Sequence, residues 1–312
     1  MEGIVIKSTG SWYHVRDDAG AIMRCRIKGK FRMEGIKNTN PIAVGDRVEF
    51  VIDEMEQVGV IDKIFPRKNY IIRKSTNLSK QTHIIASNID EAFLIVTLAM
   101  PRTSTGFVDR FLLTAEAYGI PCSIVFNKLD LYTPEGHNEL NELKKIYEPL
   151  GYKCFMVSST EKSGVEELMA QMKGKTCLIS GHSGVGKSTL INAIDPELDL
   201  KIKGLSDAHD KGVHTTTFAE MFPLKMGGYI IDTPGIKEFG IIDIEKNELG
   251  HFFPEIRGRM NDCKFNSCLH VNEPGCAIIK AVDNNEIASF RYTTYLNILL
   301  GSELDRDYKN KG

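Results

Sequence analysis

The chain has 312 residues, enough for two or three domains of ordinary size. It is 42% hydrophobic and 26% charged, as a globular protein should be, and a formal net charge of -2 excludes a molecule that is basic overall, so any nucleic-acid contact must come from a local patch. The longest apolar runs, such as Ala92 to Ala99, fall far short of the roughly 20 residues a spanning helix needs, and Met1-Glu2-Gly3-Ile4 shows no basic region followed by an apolar core, so the expectation is a cytoplasmic protein with no membrane segment.

Residues 1 to about 72 read as short β-rich runs: Gly3 to Ile6, Trp12 to Val15, Ala21 to Ile27, Asp46 to Ile52 and Gly59 to Ile64, separated by Gly, Asn, Asp and Pro. Strands this short and closely spaced predict a small barrel, with the OB-fold leading. Arg67 to Tyr70 and Arg73 to Ser75 read as a basic linker. From about residue 85, strands alternate with helices. Ala92 to Ala99 is a continuous apolar strand, Phe107, Val108, Phe111, Leu112 and Ala115 repeat at helical spacing, and Ser123 to Phe126 is the next strand. A helix over Glu139 to Leu150, strands at Cys154 to Val157, Thr176 to Ser180 and Gly228 to Asp232, and a helix after Lys187 complete a pattern that predicts a parallel sheet covered on both faces. After about 246 the chain turns helical and cysteine-containing. The expected domains are a barrel over 1–72, an α/β domain over 73–245 and a helical domain over 246–312.

Gly181-His182-Ser183-Gly184-Val185-Gly186-Lys187-Ser188 fits G-x-x-x-x-G-K-[ST] between a strand and a helix that starts at Thr189. In such a loop the glycines let backbone wrap phosphates, the helix N-terminus aims N–H groups at them, Lys187 neutralises β/γ-phosphate charge and Ser188 offers its hydroxyl to Mg²⁺. His182 occupies a free position of the pattern, so its identity matters little there, and it counts among the GTP-binding residues as part of the loop. Asn127-Lys128-Leu129-Asp130 follows a buried strand, as an N-K-x-D loop should. A carboxylate at Asp130 can accept from both N–H groups on guanine's pairing edge, which adenine cannot supply; Asn127 could bond the purine or tie loops together, and the stem of Lys128 could pack on the ring. GTP is therefore expected as substrate and GDP as product.

Asp232-Thr233-Pro234-Gly235 supplies D-x-x-G at a strand end, with Asp232 toward Mg²⁺ and the Gly235 N–H toward the γ-phosphate. Ser158-Ser159-Thr160 either completes the base pocket or caps a helix. Thr215-Thr216-Thr217 lies where a switch threonine belongs; Thr216 is favoured for Mg²⁺, though a neighbour could serve. Ile236 stands where many GTPases place a water-orienting glutamine and cannot hydrogen-bond to water, which turns attention to His214 beside the threonines. The order is unusual: N-K-x-D and Ser158-Ser159-Thr160 precede the P-loop, and D-x-x-G comes last. Such a circular permutation is tolerable because domain termini commonly lie close together at the surface.

The seven cysteines are an odd number, against a full disulfide framework; Cys25, Cys122, Cys154 and Cys177 read as small buried hydrophobes. Cys263, Cys268, His270 and Cys276 form C-x₄-C-x-H-x₅-C, three thiolates and an imidazole suited to one closed, structural Zn²⁺, with His251 a distant extra candidate. In the barrel, Arg24, Arg26, Lys28, Lys30 and Arg32 alternate with smaller or apolar residues, so an extended stretch would turn these cations to one side, near Trp12 and Tyr13, which could stack on bases. The same alternation equally suits a protected strand edge.

The motif order and both flanking domains closely resemble the RsgA (YjeQ) family of ribosome small-subunit-dependent GTPases, over essentially the whole chain. The resemblance implies an OB-like barrel, a permuted GTPase and a C-terminal zinc module. It implies binding to the small ribosomal subunit and its rRNA late in maturation, with hydrolysis stimulated by the subunit. It also points to a histidine at position 214 in catalysis and favours RNA over edge protection for the basic stripe. A monomer is expected.

Overall fold

The computed structural model describes residues 1–27, 41–74, 82–198, 219–232 and 244–301. Its first strands, β1 (Glu2–Ser8), β2 (Tyr13–Asp17), β3 (Ile22–Ile27), β4 (Arg47–Asp53) and β5 (Val58–Ile64), pair in the order β1-β2-β3-β5-β4, and β4 returns to β1 to close the barrel. That order and closure are those of an OB-type barrel. Alternate residues point inward: Val5, Tyr13, Val15, Cys25, Val48, Phe50 and Ile61 fill the interior with Ile42. Tyr13 is thus a core residue, 1% exposed, whose hydroxyl bonds the Gly10 carbonyl. The expectation that it stacks on bases is corrected by strand phase, because it shares the inward face with Val15.

The stretch expected to be a linker is half of a hairpin: β6 (Tyr70–Lys74) pairs antiparallel with β7 (Thr82–Ser87). Beyond it lie β8 (Glu91–Val96), α1 (Thr105–Ala117), β9 (Cys122–Phe126), α2 (Pro134–Tyr147), β10 (Lys153–Met156), α3 (Val165–Met172), β11 (Thr176–Ser180), α4 (Lys187–Ile194), β12 (Glu220–Pro223) and β13 (Tyr229–Asp232). The sheet runs β10-β9-β8-β11-β13-β12, parallel except for β12. Strand β8 is buried throughout and feeds both faces. Leu94 and Val96 pack with Phe107, Leu112 and Leu140 of α1 and α2, while Phe93 and Ile95 pack with Leu168 and Leu190 of α3 and α4. Each such side chain contributes about 1.5–3 kcal/mol on burial. The helix α2 starts earlier than its apolar spacing predicts, because the Thr133 hydroxyl caps Gly136 N and Pro134 takes the first turn.

Residues 249–301 form the C-terminal module, built from short turns and α5 (Pro254–Arg257), α6 (Ala277–Asp283) and α7 (Ser289–Leu300) around Leu249, Phe253, Ile256, Ile278, Tyr295 and Leu299.

Buried ion pairs join the sheet to its neighbours at two places. At the barrel, Asp46 receives both forks of Arg67 at 2.6 Å, the Ala43 N–H at 2.8 Å and the Ser87 hydroxyl at 2.6 Å. Gly45 sits there at φ +92°, and a Cβ would lie 2.1 Å from the Ser87 carbonyl oxygen, so only glycine lets the two segments meet. At the C-terminal module, Arg291 of α7 donates to Asp109 of α1 (2.9 Å) and forks onto Glu255 of α5 (2.6 and 2.9 Å); Tyr147 of α2 donates to the same Asp109 oxygen at 2.8 Å.

Candidate nucleotide and metal sites

The loops singled out by sequence follow the C-terminal ends of parallel strands: residues 127–130 after β9, 158–160 after β10 and 181–188 after β11. Ligands of open α/β sheets bind along that edge. Asn127, 1% exposed, joins all three loops. Its Nδ2 donates to the Val185 carbonyl at 2.9 Å, and its Oδ1 accepts from the Ser159 N–H at 3.3 Å and hydroxyl at 2.8 Å. Of the two uses open to it, tying loops together is the one this geometry displays. Gly186, at φ +92°, makes the close approach possible, since a Cβ would stand 2.5 Å from that Nδ2.

In the P-loop, Val185 is fully buried in the core on one side of the sheet and fixes the loop from beneath. Lys187 Nζ donates to the carbonyls of Gly181 and His182 at 2.6 and 2.7 Å, which folds the ammonium back over its own loop. Ser183, Gly184, Ser188 and Thr189 are exposed, the last two in the first turn of α4, whose N–H groups have no earlier helical carbonyl to meet. The His182 ring lies on Phe107 of α1, centroids 3.6 Å apart, and burial followed by the charges of Lys187 and Arg110 lowers its pKa.

In the loop of residues 127–130, Asp130 is exposed and accepts from the Ser158 hydroxyl at 2.5 Å, a bond that pulls its pKa down and keeps it an acceptor. Ser158 in turn accepts from the Glu161 N–H at 3.2 Å. Lys128 takes a left-handed conformation, φ +64°, and its Nζ donates to the Met100 carbonyl at 2.5 Å.

In the C-terminal module, Cys263, Cys268, His270 and Cys276 bring their donor atoms within 4.8 Å of one another. His270 Nδ1 lies 3.5 Å from the Cys263 sulfur and 3.4 Å from the Cys276 sulfur, and those sulfurs are 4.0 Å apart. A tetrahedral zinc with bonds of about 2.0–2.3 Å requires donor separations of about 3.5–3.8 Å, so these residues fit the metal. The loop is held from outside. Tyr292 and Tyr295 donate to the carbonyls of His270 and Leu269, and Glu273 accepts from the N–H groups of Leu269, Val271 and Asn272. Burial opposes ionisation of Glu273, yet those donors hold its pKa down to about 2. His251 is outside this cluster.

The sequence model of the RsgA GTPase family matches residues 64–242, and that of the RsgA N-terminal domain matches residues 2–61. The chain belongs to the RsgA GTPase family. Similar proteins named small ribosomal subunit biogenesis GTPase RsgA come from Flavobacterium psychrophilum, 56% identical across 97% of this chain and 94% of that one, and Bacteroides fragilis, 52% identical across 97% of both. Among solved structures, YjeQ from Thermotoga maritima shares 37% identity at a TM-score of 0.78, covering 96% of this chain and 97% of its own. YloQ, described as a circularly permuted GTPase, shares 31% identity at a TM-score of 0.76, covering 96% and 94%.

Of the remaining residues singled out by sequence, His214, Thr216 and its neighbours, Gly235 and Ile236 lie outside the described residues. Asp232 is the last residue of β13, opposite Glu220, and its side chain lies outside them too. In the basic stripe, Arg24 and Arg26 flank the inward Cys25, while Lys28, Lys30 and Arg32 fall outside the described residues. Arg24 is exposed, its guanidinium 3.8 Å from the centre of the Trp12 ring; Arg26 already faces Asp53 and Glu56. The four other cysteines are buried and unpaired, as expected. Sequence reasoning missed Tyr132, Met100 and Phe107, which brace the nucleotide loops through contacts that no short motif carries.

Proposed function

We propose that this GTPase docks on the small ribosomal subunit through rRNA, hydrolyses GTP to GDP and phosphate when docked, and acts as a cytoplasmic monomer late in that subunit's assembly. Asn127 carries the chemical half of the reading. One buried amide joins the loop of Asp130 to the P-loop and to Ser159, so base reading and phosphate holding belong to one constellation. The relatives' name supports the partner, and their likeness extends over 97% of the chain, flanking domains included. No described helix is long and apolar enough to cross a membrane.

In this reading Asp130 accepts from guanine's pairing edge and Lys128 packs along the purine. Lys187 exchanges its two carbonyl partners for β- and γ-phosphate oxygens, beside N–H groups from Gly181 to Thr189. Ser188, Thr216 and Asp232 are the residues to hold Mg²⁺, which when bound offsets the charge of the phosphate oxygens. The Gly235 N–H meets the γ-phosphate, and His214 orients the attacking water, a task Ile236 cannot perform. Positioning and charge stabilisation then account for most of the rate. Cys263, Cys268, His270 and Cys276 hold one structural zinc that shapes the C-terminal module, and Arg24, Arg26, Lys28, Lys30 and Arg32 offer the barrel's contact to rRNA phosphates.

Ile236 also favours a second reading, in which GTP binding gates assembly and slow hydrolysis only resets it. The deciding measurement is GTP turnover by the purified chain alone, with small subunits, and with large subunits or naked RNA as controls. Strong stimulation by small subunits alone is expected. Binding without stimulation would remove the docked-hydrolysis reading and leave the guanine site standing.

A further inference from the structure

The turn that presents Asp130 is a six-residue arch from Asn127 to Tyr132, and its two ends are joined by a side chain. The Tyr132 hydroxyl donates to the Asn127 carbonyl at 2.8 Å and accepts from the Leu98 N–H at 2.8 Å. Leu98 lies in the segment between β8 and α1, and the same segment supplies the Met100 carbonyl that holds Lys128. Its Pro101 stands 3.3 Å from where a Cβ on Gly184 would be, so it touches the P-loop as well. Residues 98–101 are therefore a strut shared by both halves of the nucleotide site, and Tyr132 is the bolt between strut and arch.

The chemistry of Asn127 makes that bolt hard to replace. Its side-chain amide is committed to Val185 and Ser159, and its N–H to the Val96 carbonyl, which leaves the carbonyl to be fixed from the far end of the arch. Burial raises the phenol's pKa, so the hydroxyl stays a donor through the physiological range. Without it, the nearly buried Leu98 N–H loses its acceptor and the arch loses its closing bond, while the ring stays packed near His137.

We propose that Tyr132 is a positioning residue for guanine recognition: its hydroxyl closes the arch and sets Asp130 where it can read the base. The inference rests on the guanine-site reading above. A carboxylate that must meet two N–H groups at hydrogen-bond distance tolerates little drift, so loosening the arch should erode base discrimination more than phosphate binding.

The test uses the full chain with Tyr132→Phe. Tyr118→Phe serves as a comparator that removes a hydroxyl contacting the Ile72 backbone, away from the nucleotide loops. GDP and inosine diphosphate, which lacks guanine's exocyclic amine, are titrated against each, with thermal midpoints and subunit-stimulated turnover measured in parallel. Tyr132→Phe should weaken GDP about 5- to 10-fold and shrink the preference for GDP over inosine diphosphate about threefold, roughly one hydrogen bond's worth. Maximal turnover at saturating GTP should fall less than GDP affinity does, since the hydroxyl's own partners are Asn127 and Leu98 and not the P-loop. Tyr118→Phe should leave the preference unchanged. Equal loss of both nucleotides with a lowered midpoint would make Tyr132 merely structural, and unchanged GDP binding would remove it altogether. A wild-type chain with no preference for GDP over inosine and adenine diphosphates would instead overturn the guanine site itself. On the unmodified chain, the Leu98 amide should exchange with solvent as slowly as its neighbours in β8; fast exchange there would overturn the clamp.

Discussion

At the barrel joint one acid meets one base, and the carboxylate of Asp46 is filled from several directions, including a backbone N–H and a hydroxyl. At the C-terminal joint one guanidinium serves two acids, and Asp109 Oδ2 is buried without a hydrogen-bond partner among the described residues. The first joint is knit into the backbone: Ser87 N–H bonds the Val44 carbonyl, Asn88 bonds the Gly45 carbonyl and Arg67 bonds the Pro41 carbonyl. The second is made by side chains from separate helices, and burial raises the Asp109 pKa even beside Arg291. A fully hydrogen-bonded knot gives rigidity. One whose acid gains a proton more readily than an ordinary aspartate is a contact whose strength can change with pH.

The sharpest way to break this contrast is a single isosteric change made on both sides. Asp46→Asn puts an amide donor among donors and strands Arg67, and should cost about 3–5 kcal/mol in urea unfolding. Asp109→Asn leaves Glu255 to neutralise Arg291 and should cost under about 1 kcal/mol at neutral pH. Equal losses would dissolve the distinction.

The pH dependence sharpens it further. Between aspartate's ordinary pKa and the raised folded value, the folded chain keeps a proton that the unfolded chain has lost. The stability contributed by Asp109 therefore falls as pH climbs through that window and stays lost above it. Asparagine does not titrate, so Asp109→Asn should improve relative to wild type as pH rises from about 4 toward neutrality. Movement in the opposite direction would mean that Arg291 dominates the site. The smallest effect belongs to the rim of the second joint, where Arg257 pairs with Glu116 in partial exposure; Arg257→Ala should change unfolding by no more than about 0.5–1 kcal/mol.

The loops at 127–130, 158–160 and 181–188 were legible as motifs because phosphate and guanine chemistry calls for residue types at fixed spacing over a few positions, and the fold sets all three at the C-terminal ends of parallel strands. The cluster of Cys263, Cys268, His270 and Cys276 was legible because donor residue types at close spacing stand out, and β8 because a strand buried on both faces reads as one apolar run. What was hidden lies at long range or in mixed composition. Arg67 to Tyr70 and Arg73 to Ser75 looked like a basic linker because their charges mask Ile71 and Ile72 between them, whose strand identity depends on a partner beyond residue 81. Strand β12 is four residues ending in proline and carries almost no periodic signal. Asp109 and Arg291 are 182 positions apart, and nothing in either neighbourhood names the other. Tyr13 was misread because stacking was judged from residue type and not from strand phase. Tyr132 escaped because a motif records what touches the ligand and omits what supports the motif.

The pairing of Lys7 in β1 with Glu220 in β12 has a consequence for how the molecule keeps to itself. An open outer strand offers free N–H and C=O groups to any passing chain and is a template for self-association. Here the outer strand is short, ends in Pro223, and has the barrel's first strand set across its beginning with an ion pair between them. The barrel thereby guards the solubility of the central sheet, independently of any surface it presents to RNA.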